Sequence, residues 1–506
     1  MKRTRTRTSR WNIFFQYSNI IFNFITGIVL VPLYLKNITT EVYGLWLGTG
    51  SILAMITLVD PGFGIVLQQK ISSYYGEKDY KIVGQYALMG IIIIVPFLIL
   101  FAILCLIFSF TISYWFDIND LIILAEITRA FNFAFLGSLI LLFSYNLISI
   151  NHGLQSSLSI GLINVVASLS GIILTIILLE MGFGIVAIGI TLLWRSIIVG
   201  LGNLGYMLYR FNREKIKFKY NARLLNEIVS FSVYTFLGKA GNALSTQLNM
   251  FISSSIISPT SASVLKFTQA LPDNSKLIID RPAYALLPAI SHMIGEKNSV
   301  VEIKIIVLRF VRFIIWGSGL IFIIFLKLNQ SFVSLWVGET FYGGNLLNLL
   351  IILMIILTIF SNSISYFVFA LGDIKRSNLM QFIKSLLLVP MLFLGAQKWG
   401  LIGIIGASII AELLITTWYF PLSLYRRIQG NKDDIAQLFY ETLRVLLIII
   451  LFTTDDNNIL KNWSLLIFYA IFYCSIYFCL IFIISKNFRM EINNILMQIR
   501  IKLHLI

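Results

Sequence analysis

Residues 82–116 read IVGQYALMGIIIIVPFLILFAILCLIFSFTISYWF, thirty-five positions without a charged side chain. At 1.5 Å of rise per residue, a helix of this length exceeds the roughly 30 Å hydrocarbon core of a bilayer. A second uncharged run, Thr340 to Gly372, repeats the signal. The whole chain agrees with these two stretches: its 506 residues are 58% hydrophobic and 12% charged, with a mean hydropathy of +0.87. A water-soluble surface needs more charge than that, so lipid is the expected solvent.

Working outward at about 20 apolar residues per span, the sequence predicts an all-α polytopic membrane protein with about fourteen helices. The spans lie near 12–35, 43–67, 83–111, 124–149, 156–179, 184–208, 229–257, 262–289, 305–327, 344–370, 379–396, 400–424, 438–453 and 463–484. The thirteenth is the weakest, because Glu441 and Arg444 shorten its clean run. The basic stretch Lys2 to Arg10 precedes 25 uncharged residues, Trp11 to Leu35. That run is longer than a signal-peptide core and lacks a small-residue cleavage site, so it reads as a retained first helix.

Charge distribution orients the chain. With the N-terminus inside, cytoplasmic segments hold 25 of the 39 Lys and Arg, and the outward segments hold 4 basic residues against 7 acids. The positive-inside rule favours this orientation and places both termini in the cytoplasm. The same bias explains the basic composition without nucleic acid. Cys105, Cys474 and Cys479 fall in apolar runs, and His152, His292 and His504 are scattered, so neither a disulfide framework nor a metal site is expected.

The spans divide into two similar halves. Leu67 to Asp79 and Leu286 to Asn298 share Leu, Ile-Ser and Gly-Glu-Lys at one offset, and the same offset aligns Gly153 with Gly372. Gly184-Ile185-Val186-Ala187 also resembles Gly400-Leu401-Ile402-Gly403 at nearly that offset. Each half has six spans, so both insert in the same sense, as parallel repeats about an axis along the membrane normal. The expected organisation is a basic arm (1–11), a six-helix lobe (12–209), a connector (210–227), a second six-helix lobe (228–424), a loop (425–437), two additional helices (438–484) and a cytoplasmic tail (485–506).

Charges within the membrane are costly and usually face a cavity or a partner. In span eight, Gln269, Asp273, Lys276 and Asp280 fall on one helical face, with Lys266 above and Arg281 beside them. A hairpin turning near Pro259 sets Lys239 level with Asp280 and predicts a pair. Arg129, Arg195, Arg309, Arg312 and Lys384 are further intramembrane cations, and Glu126 and Glu412 further acids. Each read alone is equally a snorkelling or interhelix-paired residue, but the cationic excess of the set suits an anionic substrate. Asp60, in Leu58-Val59-Asp60-Pro61-Gly62-Phe63-Gly64, is either a hinge or ion-coupling site, or the cap of a helix restarting after Pro61.

The segments Glu41-Val42-Tyr43-Gly44-Leu45-Trp46, Asp60-Pro61-Gly62-Phe63-Gly64 with Gly76-Glu77-Lys78-Asp79, Leu335-Trp336-Val337-Gly338 and Ala370-Leu371-Gly372-Asp373 carry a resemblance. In their order, the chain resembles the polysaccharide biosynthesis proteins that export O-antigen and capsule units, in the superfamily of multidrug/toxin exporters and the peptidoglycan-precursor flippase. Pro61 departs from the small or aliphatic residue more usual there. The resemblance implies a flippase, not an enzyme, that moves undecaprenyl-pyrophosphate-linked oligosaccharide to the outer leaflet by alternating access. It implies the bacterial inner membrane, no cofactor, an H+ or Na+ gradient, and polymerase or assembly proteins as further partners; the intramembrane acids Asp60, Glu126 and Glu412 are the candidates for ion coupling. The expected substrate cavity draws on Arg129, Arg195, Lys239, Lys266, Asp273, Lys276, Asp280, Arg281, Arg309 and Arg312. A drug exporter is the alternative, and the two extra helices and cationic excess count against it. A membrane polymerase or acyltransferase is disfavoured, because no large outward loop and no mid-membrane His is present.

Overall fold

A computed structural model describes residues 25–55, 62–295, 300–453 and 459–503, together with positions 11, 15, 18 and 22. The basic arm, Asp60, Pro61, Asp455, Asp456 and His504 lie outside the described residues, as do the side chains of Arg281 and His292. Among the described residues every regular element is helical.

The first half comprises α1 (Ile25–Asn37), α2 (Thr40–Ala54), α3 (Phe63–Gly76), α4 (Tyr80–Ile93), α5 (Val95–Phe116), α6 (Leu121–Gly153), α7 (Ser157–Glu180) and α8 (Val186–Glu214). The uncharged opening stretch forms α4 and α5, which adjoin at Ile94 and Pro96, where a ring without an N–H is tolerated near a helix start. Side chains set the helix starts: the Val42 amide donates to Thr39 Oγ1, Ile82 to Asp79 Oδ1, and Ile122 to Asp120 Oδ1 at 2.7 Å. The α6–α8 packing is tight because a Cβ at Gly189 would overlap the Ala130 carbonyl.

The second half comprises α9 (Ala222–Ile252), α10 (Pro259–Thr268), α11 (Ala270–Gly295), α12 (Val300–Trp336), α13 (Asn345–Ala370), α14 (Ile374–Ala411) and α15 (Thr417–Arg427). Then come α16 (Lys432–Leu451), α17 (Trp463–Ile484) and α18 (Lys486–Leu503). Much of the outward loop expected at 328–343 is helix, since α12 runs for 37 residues to Trp336. α14 is broken at Gly400 (φ 57, ψ −136), a backbone conformation that L side chains rarely adopt. Gly395 lies against the Gly403 carbonyl. In a straight helix those residues stand about 12 Å apart, so the chain reverses there, as two separate spans, eleven and twelve, require.

Among the described residues, eight helical stretches are long and apolar enough to cross a membrane, including Tyr80–Phe116, Ile374–Arg427 and Trp463–Ile484. In α17 only Tyr477 and Ile481 are buried, which is the surface of a helix solvated by lipid. The protein is thus an all-α, multi-pass membrane protein with about fourteen transmembrane helices, the shorter elements being pieces of spans or helices outside them. α9, α11 and α16 are less apolar and carry Lys239, Asp273, Lys276, Asp280, Glu441 and Arg444 among their residues.

By compactness the chain forms two units: Met1–Ser263 with Gln381–Ile404, and Val264–Met380 with Ile405–Ile506. The boundaries 12–209 and 228–424 describe the sequence repeat, a separate property.

The repeat is visible in the internal geometry of each unit. At the α6–α7 turn, Leu154, Gln155 and Ser156 donate backbone bonds to Ile150, His152 and Asn151; at the α13–α14 turn, Leu371, Gly372 and Asp373 donate to Phe367, Phe369 and Val368. Gln155 and Gly372 occupy the same left-handed position, at φ 60° and 92°. The structural counterpart of Gly372 is therefore Gln155, not Gly153, which corrects the sequence alignment by two residues. The cause is local: the turn requires the left-handed conformation, and Gln adopts it where Gly stands in the other copy.

Candidate functional site

The α10–α11 junction interrupts a membrane helix with polar groups. α10 ends at Thr268 and α11 begins at Ala270, so Gln269 sits between them, nearly buried. Two asparagines hold the break. Asn329 Nδ2 of α12 donates to the Thr268 carbonyl and to Asn348 Oδ1 of α13, both at 2.8 Å, and Asn348 Nδ2 donates to the Phe325 carbonyl at 3.0 Å. Thr268 Oγ1 accepts from the Gly343 amide at 3.0 Å. Buried backbone groups need such partners where a helix is interrupted.

Below the break, Asp273 is half-buried and lies within electrostatic reach of Lys266 and Lys276. Lys266 is exposed and Lys276 half-buried. One turn further, Asp280 is 6% exposed, and its Oδ1 accepts from Ser363 Oγ of α13 at 3.0 Å. Helical spacing thus brings Lys266, Asp273, Lys276 and Asp280 along one edge of the second unit. Gln269 Oε1 and Arg312 Nε of α12 are buried polar atoms without a hydrogen-bond partner among the described residues. The described charges of this edge, Lys266 and Lys276 against Asp273 and Asp280, balance one another, and in a low-dielectric setting such groups interact strongly with a passing charge.

The remaining expected residues are distributed. Arg195 of α8 is half-buried, folds over Gly171 and donates to Ser168 Oγ at 3.3 Å. Arg129 and Glu126 of α6 are both exposed, and no ion pair joins them among the described residues. Lys239 is half-buried on α9 in the first unit, whereas Asp280 belongs to the second; their pairing stands as an expectation. Lys384 and Glu412 are buried, and Glu412 opens a π-helical turn, Glu412–Thr416. Arg309 is exposed, and its Nε donates to Glu491 of α18 at 2.8 Å. Asp60 and the Arg281 side chain are outside the described residues.

Three polar clusters were not anticipated from the sequence. Arg210 reaches back to the α6–α7 turn, donating to Ser156 Oγ at 2.8 Å, the Leu154 carbonyl at 3.4 Å and Tyr206 at 3.3 Å. Arg427 repeats this on the α13–α14 turn, with the Leu371 carbonyl at 2.9 Å, Asp373 Oδ2 at 3.2 Å and Ser423 Oγ at 3.4 Å. Every partner stands at the same offset from its counterpart, so this arginine clip belongs to the repeat. The second cluster joins the start of α9 to α3 and α4: Glu227 accepts from Lys70 and, at 2.9 Å, from Tyr86. Bonding to Lys70 holds the Glu227 carboxyl below its ordinary value.

The third cluster accounts for span thirteen. Glu441 is fully buried and accepts from Trp316 Nε1 at 3.0 Å, Ser485 Oγ at 2.8 Å and Asn487 Nδ2 at 2.9 Å, and it pairs with Arg444. The charge that weakened the sequence signal is thus satisfied within the protein rather than presented to lipid.

Comparison with known proteins places this architecture. A family model described as "Polysaccharide biosynthesis protein" matches residues 10–294. A structure of the lipid II flippase MurJ, in an inward closed conformation, superposes with a TM-score of 0.68 at 14% identity, covering 93% of this chain and 99% of that one. An inward-facing multidrug resistance MATE family transporter of the MOP superfamily gives 0.62 at 16% identity, covering 81% and 95%. A MOP superfamily transporter from Pyrococcus furiosus, described as having a binding pocket of reverse polarity, gives 0.54 at 16% identity over 90% and 97%. No curated protein matches. At these identities the structural likenesses show a shared fold.

Proposed function

Because the chain belongs to the polysaccharide biosynthesis protein family, we propose that it is a flippase for undecaprenyl-pyrophosphate-linked oligosaccharide, carrying repeat units for O-antigen, capsule or exopolysaccharide from the cytoplasmic to the outer leaflet. The observation that carries this reading is the charged edge of α10–α11, where Lys266 and Lys276 flank Asp273 within the membrane helix. A membrane helix bears such groups at a cost of ~2.5–3.5 kcal/mol each on insertion scales, so they mark a path for charge. Lysine is a compact point charge suited to phosphate, and a pyrophosphate supplies the matching anion. The prenyl chain remains in lipid while the headgroup crosses.

Alternating access driven by an H+ or Na+ gradient completes the proposal, with Asp60, Glu126 and Glu412 as the acids for ion coupling. Of these, Glu412 is buried and opens a π-helical turn, a distortion frequent at functional sites.

Deleting the gene should cause lipid-linked repeat units to accumulate on the cytoplasmic side. Lys239→Ala and Lys276→Ala should each lower export by about tenfold, the effect of about 1.4 kcal/mol, with protein level unchanged. Surface polysaccharide and intermediates unaltered by the deletion would refute the flippase reading. Normal export in both lysine variants would remove the site while leaving the family assignment intact.

A further inference from the structure

α17 and α18 are separated by one residue, Ser485, in extended conformation (φ −101, ψ 111). α17 is a lipid-solvated span that continues to Ile484, so α18 begins where the chain leaves the hydrocarbon. Its entry is fixed twice: the Phe488 amide donates to Ser485 Oγ at 3.1 Å, and the same Oγ donates to Glu441.

At 100° per residue, Phe488, Ile492, Ile495, Leu496, Ile499 and Leu503 fall within one arc of about 100°. Arg489 and Arg500 border that arc on one side and Lys502 on the other. The first two turns use the arc against protein. Phe488 is buried edge-on to Trp316 at 5.0 Å, and Ile492 packs on the same core. Beyond them the protein falls away from the arc: Leu496 is 55% exposed. The helix nevertheless continues to Leu503. Its one acid, Glu491, is taken by Arg309, which leaves the basic residues of α18 without an internal acidic counterpart on their own helix.

We infer that the second half of α18 lies in the interface of the leaflet into which α17 emerges, its apolar arc at the acyl boundary and the cations that border the arc in sequence facing anionic phospholipid headgroups. An apolar stripe bordered by cations is the pattern of a helix that rests on a membrane rather than spanning it. The charges match anionic headgroups, and their long stems reach from the arc to the phosphate level. Protein contact through Phe488, Ile492 and Glu491 anchors one end, so the lipid-bound half is tethered. This inference concerns a surface remote in sequence from α10–α11 and stands independently of the transported substrate.

The full-length chain, with Cys105, Cys474 and Cys479 replaced by Ala, is reconstituted in phosphatidylcholine bilayers with and without phosphatidylglycerol. Nitroxide labels on Leu496→Cys and, separately, on Asn493→Cys are tested for collision with oxygen, which partitions into lipid, and with an aqueous nickel chelate. With phosphatidylglycerol, the label at 496 should be accessible to oxygen and shielded from nickel, while that at 493 stays aqueous. Combining Arg489→Glu with Arg500→Glu should shift the 496 label towards water by about tenfold in its equilibrium, from the loss of headgroup attraction. A label at 496 as aqueous as that at 493 overturns the inference. Burial that ignores phosphatidylglycerol and charge reversal overturns the headgroup contact, and shielding from both reagents overturns it in favour of a protein partner.

Discussion

Glu441 shows how one side chain decides whether a weak span is a span. Its carboxylate receives three neutral donors and one guanidinium, drawn from α12, from α16 itself and from the α17–α18 junction. Glu441→Ala leaves the Arg444 charge and the buried Trp316 and Ser485 donors without their acceptor. It should destabilise the protein by about 3 kcal/mol, the range for breaking a buried pair. Thermal unfolding of the purified protein checks this, and Glu441→Gln, which retains an acceptor, should lose less. An unaltered midpoint for the alanine variant would show that the network contributes nothing. Glu441 and Arg444 are visible in the sequence as a flaw in span thirteen. Their remedy is not, because Trp316 and Asn487 are distant along the chain and only packing unites them.

The helices are legible to the extent that their chemistry is local. α17 has the expected bounds, Trp463–Ile484, because its hydrophobic run is long and its polar flanks are abrupt. The spacing of Asp273, Lys276 and Asp280 likewise gives their common edge, since it depends only on the helical period. What holds that edge in place was hidden: Ser363, Asn329 and Asn348 come from other helices and belong to no motif. Arg309 similarly finds Glu491 on a helix nearly the length of the second half away. The turn joining α6 to α7 provides a test at this level. Gln155 occupies a left-handed conformation that costs a residue with a Cβ about 1–2 kcal/mol, whereas its counterpart is Gly372. Gln155→Gly should therefore stabilise the protein by up to about 1 kcal/mol, after the entropy lost by glycine, and raise the unfolding midpoint. A lowered midpoint would mean that the Gln155 bond to Ser72 outweighs the backbone relief.

For the molecule as a whole, the charge balance makes the orientation testable. Lys398 and Lys432 are both exposed and were assigned to opposite faces. In intact cells, a membrane-impermeant maleimide should label Lys398→Cys, and reach Lys432→Cys only after permeabilisation; the reverse pattern would invert the topology. Duplication was legible in scattered glycines and a shared Ile-Ser and Gly-Glu-Lys, but its register became clear only from backbone bonds and the two arginine clips. Each clip ties a turn at the end of a half's fourth span to an arginine beyond its sixth, Leu154 to Arg210 and Leu371 to Arg427. During synthesis neither knot can be tied until the last helix of its half has left the ribosome. Each half therefore carries its own mark of completion, and the second begins its assembly beside a first that is already able to fasten itself.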